Sequence, residues 1–282
     1  EENFLWVSNQ SAFDLMREGI LPPQTGDPKN NPNYMMIDAQ LTTEIFGLMA
    51  PGRPDVALKM AHLPIRTTAS EDAAWISEFY VSMHALASSS DSEKTMAERL
   101  LWMAEASRSN LPDSSYAASM YDFVKMHFKE GSSWEETRDA VYQRYQVEQQ
   151  DGYDLTSKNL YCNGCFASGI NFAASLVSLF YGKGDLRETI KIGALCGWDS
   201  DNPTATWGGL LGFMMSRSAV EQAYATDLSQ RFNIHRTRQN FEKNGIDTFD
   251  NKSDKQIEVI DRVVAEEMNG EVYLEAHVWR IP

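Results

Sequence analysis

The sequence predicts an all-α fold, because its apolar residues recur mostly with the 3.6-residue period of a helix and strand signals are few. One such stripe is formed by Leu41, Ile45 and Leu48. The only clear alternation runs from Val272 to Val278 and indicates a local strand pairing. Hydrophobic residues make up 43% of the chain, which is enough to bury a core and excludes a disordered protein.

The predicted helices follow one another with recognisable start and stop signals. A first helix covers 37–49 and stops before Pro51-Gly52, and a short helix restarts at Pro54. Ser70 can cap a third helix, and Ser133 stands three residues before Glu136 as in a capping box. Further helices are predicted at 93–107, 114–128, 133–147, 165–181, 186–196, 203–216 and 255–268, with loops at 21–33 and 148–159.

No repeat or clear linker divides the 282 residues, so the sequence predicts a single helical domain over 1–282. The chain opens with Glu1-Glu2-Asn3-Phe4, without an initiator Met or a leader. We therefore expect that an upstream segment was removed or is missing.

The charge balance of the chain excludes some classes of binding partner. Forty Asp and Glu against 25 Lys and Arg give a net charge of −15, without the basic cluster that a nucleic-acid binder needs. No apolar run reaches the length of about 18 residues typical of a membrane span. The sequence thus predicts a soluble protein with neither nucleic acid nor membrane as a partner. Its compartment stays open, since sequons at Asn9 and Asn251 are compatible with secretion.

The three cysteines, Cys162, Cys165 and Cys196, are too few for a disulfide scaffold. The first two have the spacing of a redox pair or of half a zinc site, and a zinc site would need a second pair of ligands. We favour a third interpretation, in which small residues lead into a buried helix. The disulfide state of Cys162 and Cys165 stays open.

The most informative segment is 197–212, which reads GWDSDNPTATWGGLLG. Pro203 suits the first helical position, so Asp201 and Asn202 lie at a helix N-terminus. If the linker is extended, Asp199 and Asp201 point to the same side. Two neighbouring carboxylates repel each other unless a proton or cation lies between them, and their hard oxygens suit Mg²⁺, Mn²⁺ or Ca²⁺.

The segment 197–212 has two other interpretations, an EF-hand loop and a simple helix cap. An EF-hand is excluded, because its sixth and twelfth loop positions would be Thr204 and Leu210 instead of Gly and Glu. In the simpler alternative, Asp201 or Asn202 merely caps the helix while Asp199 is a solvated loop acid.

The Gly-x-Asp-x-Asp element and the glycine-rich helix that follows it resemble the C-terminal metal motif of the ADP-ribosylglycohydrolase family. Two earlier segments resemble other parts of that family in the same order. The segment 37–52 is similar to a substrate-loop helix that ends in an Ala-Pro turn. The segment 161–196 is similar to a second substrate loop followed by two helices. The resemblance covers roughly residues 34–216.

This resemblance implies a compact helical bundle of the ADP-ribosylglycohydrolase type with a binuclear Mg²⁺ site. It implies metal-dependent hydrolysis of a ribosyl-type N- or O-glycosidic bond in a small-molecule glycoside or an ADP-ribosylated substrate. Carried over by position, the metal ligands are Asp199, Asp201 and Asn202, the last where the family often has Thr or Ser, and the substrate pocket is lined by Asp38, Gln40, Tyr161 and Asn163.

The chain also departs from the family's pattern. A Gly-Asp-x-x-Gly helix and a Thr/Ser-Asp-Asp element, which supply the other metal ligands and the acid/base carboxylate, are absent, and the stretch 66–70 lacks a frequent His. We therefore expect the general base on a companion N-terminal chain from the same precursor. The alternative is a non-catalytic structural or binding protein on the same fold, as lens crystallins of this family illustrate.

Overall fold

The computed structural model describes residues 5–89, 93–234, 241–276 and 278–282. Helices dominate and strands are few, which confirms the all-α prediction. The α-helices are α1 Val7–Arg17, α2 Asp38–Thr43, α3 Ile45–Met49, α4 Pro54–Ile65, α5 Glu71–Leu86, α6 Met96–Ser107, α7 Tyr116–Glu130, α8 Trp134–Val141, α9 Ser168–Gly182, α10 Leu186–Cys196, α11 Asp201–Met214, α12 Arg217–Tyr224 and α13 Phe249–Glu267.

The strands form two antiparallel hairpins. Strands β1 (Arg231–Asn233) and β2 (Ile246–Thr248) pair with each other, as do β3 (Glu271–Tyr273) and β4 (Val278–Arg280). The local strand pairing predicted for 272–278 is confirmed: Tyr273 pairs with Val278 and Val272 with Trp279, on either side of a short 3₁₀ turn at Leu274–Ala276. None of the described helices is long and apolar enough to cross a membrane.

Helix α9 lies in the centre of the larger apolar core and is buried along almost its whole length. It packs against α7, α10 and α11. Phe172 on α9 meets Phe79 on α5 edge to face, with ring centroids 5.1 Å apart. The indole of Trp207 on α11 donates to the carbonyl of Ser175 at 2.8 Å, so this buried ring has a partner for its N–H. These contacts fix α11 against α9.

A smaller apolar core lies where α4, α5 and α13 meet. Here α3 approaches α5 closely because Gly47 has no side chain: a Cβ at this position would lie 2.3 Å from the carbonyl oxygen of Val81. The close approach brings the residue just before α3, Glu44, to within 3.9 Å of His84 on α5. The polar residues Asp38, Gln40 and Thr43 of α2 are buried in the same part of the bundle.

The helix boundaries and caps predicted from the sequence differ from those in the structure at several positions. Ser133 and Glu136 form the predicted capping box, whereas the Ser70 hydroxyl donates to Gly26 O at 2.8 Å and makes no cap hydrogen bond. The segment 37–49 is two helices, and 133–147 ends in a π-helical turn. Pro203 is the third residue of α11 instead of the first. The sequence did not predict α1.

Candidate functional site

Three of the residues proposed from the sequence line one cavity of about 160 Å³. Asp38 comes from the start of α2, Tyr161 from the loop before α9, and Asp199 from the turn between α10 and α11. The remaining lining residues are mostly apolar or aromatic: Trp6, Val7, Ile37, Leu41, Cys165 and Phe166. The cavity therefore combines two carboxylates with an aromatic wall, a lining that suits a sugar carrying an aromatic substituent.

Asp38 is held in place by the N-terminal helix. The side-chain amide of Asn9 on α1 donates to Oδ1 of Asp38 at 2.7 Å. Asp38 is only 3% exposed, and this burial raises the pKa of its carboxyl above the usual value, an effect that contacts with Ser8 and hydrogen bonds from Asn9 partly offset. The carboxylate is thus fixed at the cavity wall by a neutral donor.

Asp199 lies in a tight turn and not in an extended linker, the condition under which the sequence places Asp199 and Asp201 on the same side. Gly197 and Trp198 have positive φ angles of 93° and 54°, and the amide of Asn202 donates to the carbonyl of Asp199 at 3.0 Å. The turn nevertheless brings the Asp199 and Asp201 side chains into hydrogen-bonding contact. Burial, this contact and the charges of Asp201 and Asp38 together raise the pKa of Asp199 to about 6.

Gln40 and Asn202 are buried in the bundle interior. The Asn202 amide donates to Oε1 of Gln40 at 3.0 Å. Gln40 in turn donates to Glu44 Oε1 at 2.7 Å and to the hydroxyl of Thr206 at 3.0 Å, which occupies both hydrogens of its amide. The Asn202 Oδ1 lies 3.5 Å from the Thr206 hydroxyl. The structure therefore places both amides in a network that joins α2 to α11, outside the cavity lining.

The loop that carries Tyr161 and Asn163 is closed by a disulfide between Cys162 and Cys165. The structure thus corrects the interpretation of these cysteines as small residues entering a buried helix. Tyr161 is 82% exposed and stacks on Phe166, with ring centroids 6.3 Å apart. Asn163 is exposed at the tip of the turn and is not a lining residue of the cavity.

Four residues that contribute to this region were not predicted from the sequence. Glu44 could have been found, because it lies one helical turn after Gln40. Asn171 could also have been found, because it is a polar residue inside the apolar run of α9. Asn9 belongs to α1, which the sequence did not predict, and Trp6 directly precedes that helix; nothing local points to their contacts with Asp38 and Phe166.

The acidic side chains of the site suit one divalent cation. Asp199 and Asp201 offer hard oxygens, and burial together with their mutual repulsion favours neutralisation by a proton or a cation. Within the described ranges, however, no group of three or more His, Cys, Asp or Glu side chains is arranged to hold a metal ion. The two Mg²⁺ ions expected from the sequence stay a prediction.

No curated protein and no solved structure matches the chain. The family model of ADP-ribosylglycohydrolases matches residues 5–253, which include α1 and all the residues that line the cavity. Because this match covers most of the sequence, the chain belongs to the ADP-ribosylglycohydrolase family.

Proposed function

We propose that this protein hydrolyses a ribosyl-type N- or O-glycosidic bond in the cavity lined by Asp38, Tyr161 and Asp199. Membership of the family supports a glycohydrolase-like activity. The observation that carries the proposal is the convergence of these three residues, from three separate segments, on one concave surface. Such convergence of carboxylates in an apolar pocket is a mark of an active site.

The volume of the cavity limits how much of a substrate it can enclose. Its volume of about 160 Å³ is below the roughly 300–1,000 Å³ of common ligand pockets. It encloses a sugar ring, while a larger group must lie outside. Tyr161 stands at the rim with most of its ring exposed, where it can stack on an aromatic base. Both an ADP-ribosylated substrate and a smaller riboside fit this arrangement.

The carboxylates have distinct tasks in this proposal. Asp199 and Asp201 hold one divalent cation through their oxygens, while Asp38, fixed by Asn9, accepts a hydrogen bond from a ribose hydroxyl. When bound, such a cation would polarise substrate oxygens and lower the pKa of a water molecule. With a pKa of about 6, Asp199 in the cation-free site can take up or release a proton near neutral pH.

The proposal is tested by incubating the protein with ADP-ribosylated protein and with a panel of ribosides, with Mg²⁺ or with a chelator, and measuring released ADP-ribose or ribose by mass spectrometry. We expect release with Mg²⁺, and a fall of about 100-fold or more in Asp199→Asn. The exposed Asp227→Asn is the matched control and should keep wild-type activity. Activity in Asp199→Asn equal to that of the control would contradict the proposed role of Asp199.

A second candidate is a non-catalytic binding protein on the same fold. It is favoured by the lack of a three-ligand acidic cluster among the described residues. In this case, calorimetry would detect a riboside or ADP-ribose binding at the cavity, but none of the substrates would be cleaved with any divalent cation.

A further inference from the structure

The loop before α9 is a small ring closed by the Cys162–Cys165 disulfide, and it forms part of the candidate site. Cys165 lines the cavity, whereas Cys162 is exposed to solvent. Tyr161 and Phe166, whose rings stack on each other, directly flank the disulfide on either side. The bridge therefore closes the segment that carries one wall of the cavity.

The backbone of this ring has an unusual conformation. Cys162, Asn163 and Gly164 have φ angles of 45°, 56° and 75°, so three consecutive residues are left-handed. Asn and Gly tolerate this conformation, but for Cys162 it is unfavourable and persists only where the surroundings impose it. The disulfide contributes to this, because it ties the two ends of the turn with Cα atoms 5.4 Å apart, together with a backbone hydrogen bond from the Gly164 amide to the Tyr161 carbonyl at 2.9 Å. Without the bridge, we expect the turn to relax toward ordinary φ angles.

One buried side chain connects this turn to Asp199. The side-chain amide of Asn171 donates to the carbonyl of Cys165 at 2.8 Å, and its Oδ1 accepts from the backbone amide of Asp199 at 3.1 Å. Asn171 is fully buried, so water cannot readily replace either partner. A shift of the Cys165 carbonyl therefore acts on Asn171, and through it on the position of Asp199.

From this connection we propose that the Cys162–Cys165 disulfide is a thiol-reducible switch of the candidate site: its reduction releases the turn, loosens Asp199 through Asn171 and lowers activity. The effect on activity rests on the proposed function, whereas the effect on Asp199 does not. The reductant is a dithiol. Its thiolate attacks the exposed Sγ of Cys162, and the S–S electron pair goes to Cys165, which takes up a proton. The second thiol of the reductant then displaces Cys162 as a thiol and closes its own disulfide.

The test is hydrogen–deuterium exchange measured by mass spectrometry on the full chain before and after treatment with dithiothreitol. On reduction we expect faster exchange in peptides that cover 161–166 and in peptides that contain Asp199. Helix α7 should exchange at an unchanged rate. The kcat/KM for whichever substrate is cleaved should fall at least tenfold.

Two variants make the result specific to this disulfide. Cys162→Ser should show the exchange pattern of the reduced protein without any reductant and should not respond to it. Cys196→Ala removes the third cysteine, which is buried and unbridged, and should respond to reductant as the wild type does. If Cys162→Ser does not fold, the comparison of oxidised and reduced wild type still tests the proposal.

The outcomes separate this inference from the proposed function. Unchanged exchange at Asp199 after confirmed reduction would overturn the inference, as would equal activity of the oxidised and reduced forms. If exchange at Asp199 rises but neither form cleaves any substrate, the proposed function fails while the coupling of the disulfide to Asp199 is supported.

Discussion

Asn202 on α11 donates its side-chain amide to Gln40 on α2 at 3.0 Å, and both side chains are almost fully buried. This hydrogen bond joins two helices whose N-terminal ends carry site acids: Asp38 begins α2 and Asp201 begins α11. Because buried amides must satisfy their polar groups, the pair fixes the relative position of the two helices. The two helices that carry Asp38 and Asp201 are therefore joined by a buried hydrogen-bonded network.

Replacement of Gln40 by Leu should destabilise the protein by about 2–4 kcal/mol, since it leaves the Asn202 amide and the Glu44 carboxylate without their shared partner. Urea unfolding measures the change. Gln143→Leu, at an exposed position, is the control and should stay within about 0.5 kcal/mol of the wild type. Equal effects of the two substitutions would mean that the network contributes little.

Asp199→Asn should stabilise the cation-free protein at pH 7.5 and leave it unchanged near pH 4. The pKa of Asp199 is about 6 in the folded state against an ordinary 3.8, so the folded state binds more protons between these values. Stability therefore falls as pH rises from about 4 to 6, and Asn avoids that loss. After allowance for solvent screening, we expect Asp199→Asn to raise the free energy of unfolding by about 1–2 kcal/mol at pH 7.5.

This prediction is checked by urea unfolding with a chelator present across pH 4–8. Asp227→Asn, at an exposed position, should show no pH-dependent difference from the wild type. A gain in Asp199→Asn that is the same at pH 4 and pH 7.5 would argue against a titrating carboxyl.

Mg²⁺ or Mn²⁺ should raise the Tm at pH 7.5 and do so less at pH 5.5, where protons compete for Asp199. A cation at ten times its Kd stabilises by about 1.4 kcal/mol. Calorimetric scans with and without the cation measure the shift. The double variant Asp199→Asn with Asp201→Asn should abolish it, and Asp227→Asn should retain it. A shift that survives in the double variant would place the cation elsewhere.

Tyr161→Ala should raise KM about tenfold without a measurable loss of stability, because its ring is 82% exposed and contributes to the cavity rim more than to the core. Tyr161→Phe keeps the stacking surface and should keep a near-normal KM. Steady-state kinetics on the cleaved substrate measure both. Tyr142→Ala, an exposed tyrosine outside the cavity lining, serves as the control. A normal KM in Tyr161→Ala would remove this ring from substrate binding.

Local signals predicted much of the fold. Helix α10 ends at Cys196 as expected, and the Asp185 side chain caps its start by accepting from the amide of Glu188. Where a start signal is missing, the prediction was incomplete: α1 was not predicted, and no side-chain cap hydrogen bond marks its start. The split between α2 and α3 at Glu44 was missed because the apolar period continues across it.

The candidate site was predictable only in part. Asp38, Tyr161 and Asp199 could be named because each lies in a segment that resembles a family motif, and they do meet at one cavity. The network of Gln40 and Asn202 could not be predicted, since its partners lie 162 positions apart and no local pattern encodes their pairing. The upstream companion chain stays a prediction.

The long sequence separation within the site has a consequence for folding kinetics. Gln40 and Thr206 form their hydrogen bond across 166 positions. Closing so long a loop costs entropy that is recovered only after the intervening helices have packed. No early hairpin or local helix pair can assemble this network in advance. We therefore expect the relative position of α2 and α11, and with it the ligand-binding cavity, to form in a late step of folding.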